Sequence, residues 1–149
     1  MNIKSFGKGN LRNTGQIEKC LKIKLPDDYK NFLTAYNGAV IEDAYIYVDE
    51  LKQKMLMGLI YGVDTRKASD ILKINKEFED DILKNSILIG TDAGEGWILL
   101  ICDGENDGIW YYDHSCFFEQ STDDSNTYFI CDTFSEFMEL LETTPPPEE

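Results

Sequence analysis

Trp97, Ile98, Leu99, Leu100, Ile101 and Cys102 form an unbroken apolar run. Successive side chains of a strand point to opposite faces, so this run is apolar on both alternations. Such a segment fits a central strand covered on both sides. It demands strand neighbours on each edge and other elements over both faces. Strand-like stretches lie close by in sequence, at 86–90 and 109–113. Their connections carry Gly94, Gly96, Gly104 and Gly108, the punctuation of tight hairpins. Residues 128–131 read as a short edge strand. Upstream, 44–48 and 57–63 are rich in Tyr, Ile and Val and read as two more strands, joined by a polar connection at 49–54.

Helices flank these strands. The clearest starts at Pro26, which is tolerated in a first turn because its missing N–H has no partner there. Asp27 and Asp28 complement the positive helix end. Tyr29, Phe32, Leu33 and Tyr36 fall at i, i+3, i+4 and i+7, one apolar face, and Asn37 with Gly38 supplies the stop. A short helix capped by Thr14 is expected before it, with Ile17, Cys20 and Leu21 on one face; residues through Asn13 are expected to be loosely ordered. A middle helix is expected after Asp64 or Thr65, turning Ala68, Ile71, Leu72, Phe78 and Ile82 inward. A last helix starts near Asp132. Thr133 and Glu136 have capping-box spacing, and Phe134, Phe137, Met138 and Leu141 form its buried stripe. The sum is an α+β fold, a mostly antiparallel sheet with N-terminal, middle and C-terminal helices. We expect one domain over 1–143 and a disordered acidic, proline-rich tail over 144–149, since three consecutive prolines cannot continue a helix.

Charge is distributed unevenly. Residues 1–84 hold all 14 Lys and Arg and 13 Asp and Glu, whereas residues 85–149 hold 15 Asp and Glu and no cation. A stretch with nothing to pair with phosphate repels nucleic acid and anionic lipid, and it attracts basic partners. There is no run of about 18 apolar residues to span a bilayer and no apolar stretch near Met1 resembling a signal peptide. A cytoplasmic protein is expected. The four cysteines, Cys20, Cys102, Cys116 and Cys131, are far apart and form no CxxC pair, which suits reduced structural thiols.

Several residue groups carry the atoms of a reactive or metal-binding site without its full pattern. Asp103, Glu105, Asp107 and Gly108 match positions 1, 3, 5 and 6 of a calcium loop, but position 12 is His114 where a bidentate Glu is needed. A hairpin turn with acidic tips accounts for them better. His114 and Cys116, with Cys102 and Cys131 in reach, have zinc-ligating atoms but not the spacing of a zinc motif. The single histidine sits too near Cys116 in sequence for a usual nucleophile–base pair. No two carboxylates are marked out as a glycosidase pair, and the Gly94 and Gly96 turn carries Asp92 and Glu95, which would repel phosphate. No catalytic residue, metal ligand or cofactor is therefore assigned.

Three stretches together resemble the SUKH superfamily, which includes fungal cell-wall synthesis regulators and many bacterial immunity proteins. They are Leu25 and Pro26 followed by Tyr29, Phe32, Leu33, Asn37 and Gly38; Ile89 and Gly90 followed by the glycine turn and the apolar run from Trp97; and Thr133, Phe134 and Phe137 of the closing helix. The resemblance implies a single α+β domain that neutralises a toxin, often a nuclease, by direct binding without catalysis. Regulation of cell-wall synthesis through protein contacts is the alternative it implies. The expected partner is a basic protein. The residues expected to meet it, inferred from the acids and aromatics of this chain, are Asp92, Glu95, Asp103, Glu105, Asp107, Trp110, Tyr112, Asp113 and Glu119. Trp110 and Tyr112 share one strand face; Tyr111 points the other way, with Ile109 and Asp113.

Overall fold

The computed structural model describes residues 1–63, 65, 69–83, 85–113 and 127–148. Among these the elements run β1 (Asn2–Ser5), α1 (Leu11–Leu21), α2 (Asp27–Tyr36), β2 (Ala39–Glu42), β3 (Tyr45–Val48), a 3-10 turn (Asp49–Leu51), β4 (Gln53–Ile60), α3 (Ile71–Glu77), β5 (Ser86–Asp92), β6 (Trp97–Ile101), β7 (Gly108–Tyr112), β8 (Thr127–Cys131) and α4 (Phe134–Thr143). The eight strands form one antiparallel sheet in the order β1-β2-β4-β5-β6-β7-β8, with β3 also paired to β4. No helix among the described residues is long and apolar enough to cross a membrane.

β6 occupies the position its composition demands. It pairs with β5 on one edge and β7 on the other, and all five of its residues are buried. On one face Trp97 packs against Phe78, just past α3, and stacks on Tyr112 with centroids 5.6 Å apart. Elsewhere in the core, α4 lies against β3, β7 and β8, and α2 lies against α4. The sheet curls enough to bring β3 and the 3-10 turn close to β8, so the edge strand expected at 128–131 is partly sheltered.

The helix ends follow local chemistry. Pro26 stands immediately before α2, in extended geometry. Asn37 closes α2 in the left-handed conformation (φ 47°), its N–H donating to the Leu33 carbonyl at 2.8 Å. The buried Asn37 amide then bonds both the N–H and the C=O of Val63. Gly62 lies so close that an added Cβ would come within 1.9 Å of the Asn37 oxygen. At α4 the Thr133 hydroxyl accepts from Glu136 N–H at 3.1 Å. The reciprocal Glu136 bond reaches Asp132 N–H, one residue before the simple capping box.

Three expectations are corrected. The N-terminal residues are not loose: Asn2–Ser5 add a strand beside β2, whose free edge offers backbone partners that sequence periodicity does not reveal. Helix α1 begins a turn early. Asn10 is its cap, accepting from Asn13 N–H at 2.9 Å, while Thr14 is buried inside the helix and Cys20 is exposed. Helix α3 starts at Ile71 because the Asp70 carboxylate accepts from Leu72 and Lys73 N–H, and Phe78 and Ile82 lie beyond its end. Ala68 lies outside the described residues.

One buried amide ties α3 to the sheet. Asn75 accepts from Leu88 N–H and donates to Leu88 C=O and Ile71 C=O, each at 2.8 Å. Losing it would leave buried backbone groups of β5 without partners. Asn75→Ala is expected to lower unfolding free energy by about 2–4 kcal/mol, read from urea denaturation. A change below about 0.5 kcal/mol would mean that the amide is dispensable.

Candidate functional site

The expected partner-binding residues separate onto two ends of β6. Asp92, Glu95, Tyr112 and Asp113 lie where β6 begins, because Trp97 faces Tyr112 across the ladder. Asp103, Glu105 and Asp107 lie where it ends, in the turn to β7. An uninterrupted acidic surface is therefore not formed by these residues. Glu119, like His114, Cys116, Phe117 and Phe118, lies outside the described residues.

At the first end, the acids are partly structural. Asp92 is only 6% exposed. Its carboxylate accepts from Gly96 N–H at 2.7 Å and from the Tyr111 hydroxyl at 2.9 Å. Gly96 has no room for a side chain, since a Cβ would sit 2.0 Å from the Tyr111 oxygen. Tyr112 is buried beneath Trp97. Asp113 is half-buried, and Glu95 is exposed at the turn tip with φ 67°. Asp92 and Tyr112 thus hold the sheet end together from inside.

At the second end, the turn is closed by its own carboxylates. Asp103 accepts from Glu105 and Asn106 N–H at 2.9 and 2.7 Å, and Asp107 accepts from Gly104 N–H at 2.8 Å. The Trp110 indole donates to the Asn106 carbonyl at 3.0 Å and meets Phe129 edge-on at 5.1 Å. These side chains are spent on a hairpin. Among the described residues no three or more His, Cys, Asp or Glu are grouped to hold a metal ion.

The tertiary structure adds acids to this second end that sequence reading assigned to other duties. A cleft of about 410 Å³ opens between the start of α2, the β6–β7 turn and the start of α4. Leu25, Leu100, Ile101 and Phe134 give it an apolar lining, and Asp27, Asp28, Asp107 and Asp132 stand around it with a single cation, Lys24. From the sequence, Asp27 and Asp28 complement a helix end and Asp132 marks a helix start. The signal that could have joined them, contact between α2 and α4, is absent from local sequence.

Two links hold the cleft in shape. The Asp28 carboxylate accepts from Ser135 N–H at 2.9 Å, so α2 caps α4 across 107 residues. Glu18 of α1 accepts from Leu25 N–H at 2.9 Å and pairs with Lys30 at 3.2 Å. Burial would raise the Glu18 carboxyl, but the Leu25 N–H, Lys30 and Lys24 outweigh it and leave it below the ordinary carboxylate range.

Thiols near the cleft are chemically quiet. Cys102 lines it, and its thiol is pushed up to about 11 by burial and by Asp107, Asp28 and Asp103. Cys131, whose thiol donates to the Thr133 carbonyl, is pushed up to about 12, first by burial. A thiol that keeps its proton is a poor nucleophile and a poor metal ligand. At pH 8, iodoacetamide is expected to modify Cys102 on the order of a hundredfold more slowly than a free cysteine, followed by peptide mass spectrometry. Equal rates would reveal an ionised thiol in the cleft.

Asp103 gives a second readout. Donation from Asn106 and Glu105 N–H holds its carboxyl below the ordinary range. A lowered folded value stabilises the turn above the unfolded pKa and loses that contribution as pH falls through the folded one. In an NMR titration, Asp103 should titrate at lower pH than an unperturbed aspartate. An ordinary midpoint would mean the turn does not persist in solution.

A comparison with curated proteins found no match. A protein-family model, described as the SMI1 / KNR4 family (SUKH-1), matches residues 14–140. That span takes in most of α1 through most of α4, including every residue that lines the cleft, and this chain belongs to the SMI1 / KNR4 (SUKH-1) family.

Proposed function

We propose that this chain is a non-enzymatic, cytoplasmic protein-binding domain, an immunity protein that neutralises a basic, nuclease-type toxin by direct contact. The observation that carries this reading is the convergence of Asp27, Asp28, Asp107 and Asp132 around one cleft against a single lysine. The exposed acids Asp103 and Glu105 stand beside it in the β6–β7 turn. A basic surface evolved to bind nucleic acid is the electrostatic complement of such a region. Half-buried Trp110 and exposed Phe129, in contact on neighbouring strands, supply aromatic area of the kind enriched at interface centres.

The non-enzymatic part of the reading is supported by how the candidate groups are used. Asp92, Asp103, Asp107 and Asp28 each accept backbone N–H groups. Cys102 and Cys131 stay protonated at neutral pH.

The test is affinity capture from the source cells with this chain as bait, followed by mass spectrometry. One stoichiometric basic partner is expected. Its association rate should fall steeply with added salt, as steered encounters do. The combined Asp103→Asn, Glu105→Gln, Asp107→Asn variant should associate about tenfold more slowly at low salt with a smaller change in dissociation. Salt-independent association would remove the electrostatic account. Several weak partners from wall synthesis would point instead to a regulatory scaffold.

A further inference from the structure

A second groove, of about 510 Å³, adjoins the cleft, and Asp28 and Phe134 line both. Its walls are two helical stripes. Asp28, Phe32 and Tyr36 recur at four-residue spacing along α2. Ser135, Met138 and Glu142 recur at spacings of three and four along α4. Each wall is therefore one face of a helix, about two turns long. Between the walls, Phe32 and Phe134 are buried with ring centroids 5.2 Å apart. Tyr36 meets Phe32 at 5.2 Å yet stays 37% exposed, and Met1, another lining residue, is 43% exposed. Met138 is half-buried. Apolar area thus stays open along a trough between two helices, and its two methionines can adapt to an occupant.

The charge beside this trough has no local duty. Asp28 is spent on Ser135 N–H, but Glu139 and Glu142 are exposed and, among the described residues, their carboxylates make no ion pair or hydrogen bond. Both lie toward the end of α4, at Thr143, where a carboxylate opposes the helix dipole. No basic residue stands in the last turn of α4 or of α2 to offset them. Lys30, on α2, is turned to Glu18 of α1. Among the described residues that line the groove there is no Lys or Arg, and the Met1 amine is its one positive group. Carboxylates set against a dipole beside open apolar area destabilise the free chain, and a cationic apolar partner would reverse that effect.

We infer that this groove receives an amphipathic helix of the protein partner, its apolar face on Phe32, Tyr36 and Met138 and its flanking Lys or Arg side chains against Glu139 and Glu142. A helix suits the trough better than an extended strand. Two helical walls offer ridges for a third helix to pack between, but their backbone groups are already paired within the helices and cannot hydrogen-bond a strand. A second copy of this chain suits it less. A two-fold contact there brings the same acids of both copies together, and like charges across an interface oppose association. The inference rests on the protein-binding reading above and gives it a second surface, one that is tested without the natural partner.

The probe is a synthetic peptide of about 16 residues, long enough to form a helix, with leucines at i, i+3, i+4 and i+7, lysines flanking that stripe and alanine elsewhere. It is titrated into the whole chain and followed by amide NMR shifts. A peptide of the same composition in scrambled order and one with glutamate for lysine are run beside it. The expected result is saturable shifts at Phe32, Ala35, Tyr36, Met138 and Glu142, weak for the scrambled peptide and absent for the glutamate one. The double variant Glu139→Gln, Glu142→Gln should weaken binding about tenfold at low salt without lowering the melting temperature, since it removes charge that opposes the dipole. Ala35→Lys, at an exposed position of the groove, should abolish binding in a chain that still folds. Glu105→Gln, far from the groove in sequence and absent from its lining, should leave it unchanged. Shifts centred on Glu95 or Glu105, equal binding of the scrambled or glutamate peptide, or no saturation up to roughly a millimolar would each overturn the inference. So would a concentration-dependent dimer that shifts the same residues and is lost in Ala35→Lys, which would give the groove to a second copy. If the peptide does not bind while a basic partner is still captured, the groove assignment falls and the protein-binding reading survives. If the peptide binds as expected and no basic partner is captured, the immunity reading falls and the groove stands.

Discussion

Burial of β6 on both faces is the constraint from which the architecture follows. Trp97, Leu99 and Ile101 point one way and Ile98 and Leu100 the other, and none tolerates water. A strand of this kind cannot sit at an edge or on an open sheet, so β5 and β7 must flank it and further elements must cover both sides. Phe78 and Tyr112 close over Trp97. Phe134 and Phe137 bring α4 into the same core, where Phe134 also meets Tyr29 and Phe32 of α2. The docking of α2 on α4 is in this sense a consequence of the sheet's need for cover.

That docking also makes the cleft. Two helix starts and a hairpin turn meet where β6 ends, and each brings carboxylates for its own local reason. Asp27 and Asp28 suit the first turn of α2, Asp107 closes the β6–β7 turn, and Asp132 precedes the cap of α4. Each is accounted for locally by a cap, a dipole or a turn. Only in the folded chain do they gather around one apolar-lined cleft, opposite one lysine. The same economy appears at Asp92, which spends its charge on Gly96 and Tyr111 and so contributes to shape more than to surface.

Elements with strong periodicity or strong punctuation were legible in the sequence. Helix α2 was read from Tyr29, Phe32, Leu33 and the Asn37 stop, and α4 from Thr133, Phe134 and Phe137. Strands β5 to β8 were placed to within about two residues. The elements that were misread are short or depend on a distant partner. β1 exists because β2 has an open edge, and β2 itself is four residues long beside a kink at Asp43, where φ is 55°. Thr14 and Asn10 are both good caps, and the choice between them rests on how α1 meets α2 and α3. The candidate site was half legible: the acidic turn at Asp103, Glu105 and Asp107 was recognised, while its joining to Asp27, Asp28 and Asp132 was not.

By itself, the sequence determined which segments must be buried, where helices stop and which stretch lacks cations, because these depend on side-chain chemistry within a few residues. Tertiary structure alone decided that Asp92 and Tyr112 turn inward, that the acids divide between two ends of one strand, and that Asp28 reaches Ser135 across 107 positions. The physical reason is range. Periodicity and capping act over one or two turns of chain, whereas a cleft is made where chain segments remote in sequence are forced together by the burial of a shared core.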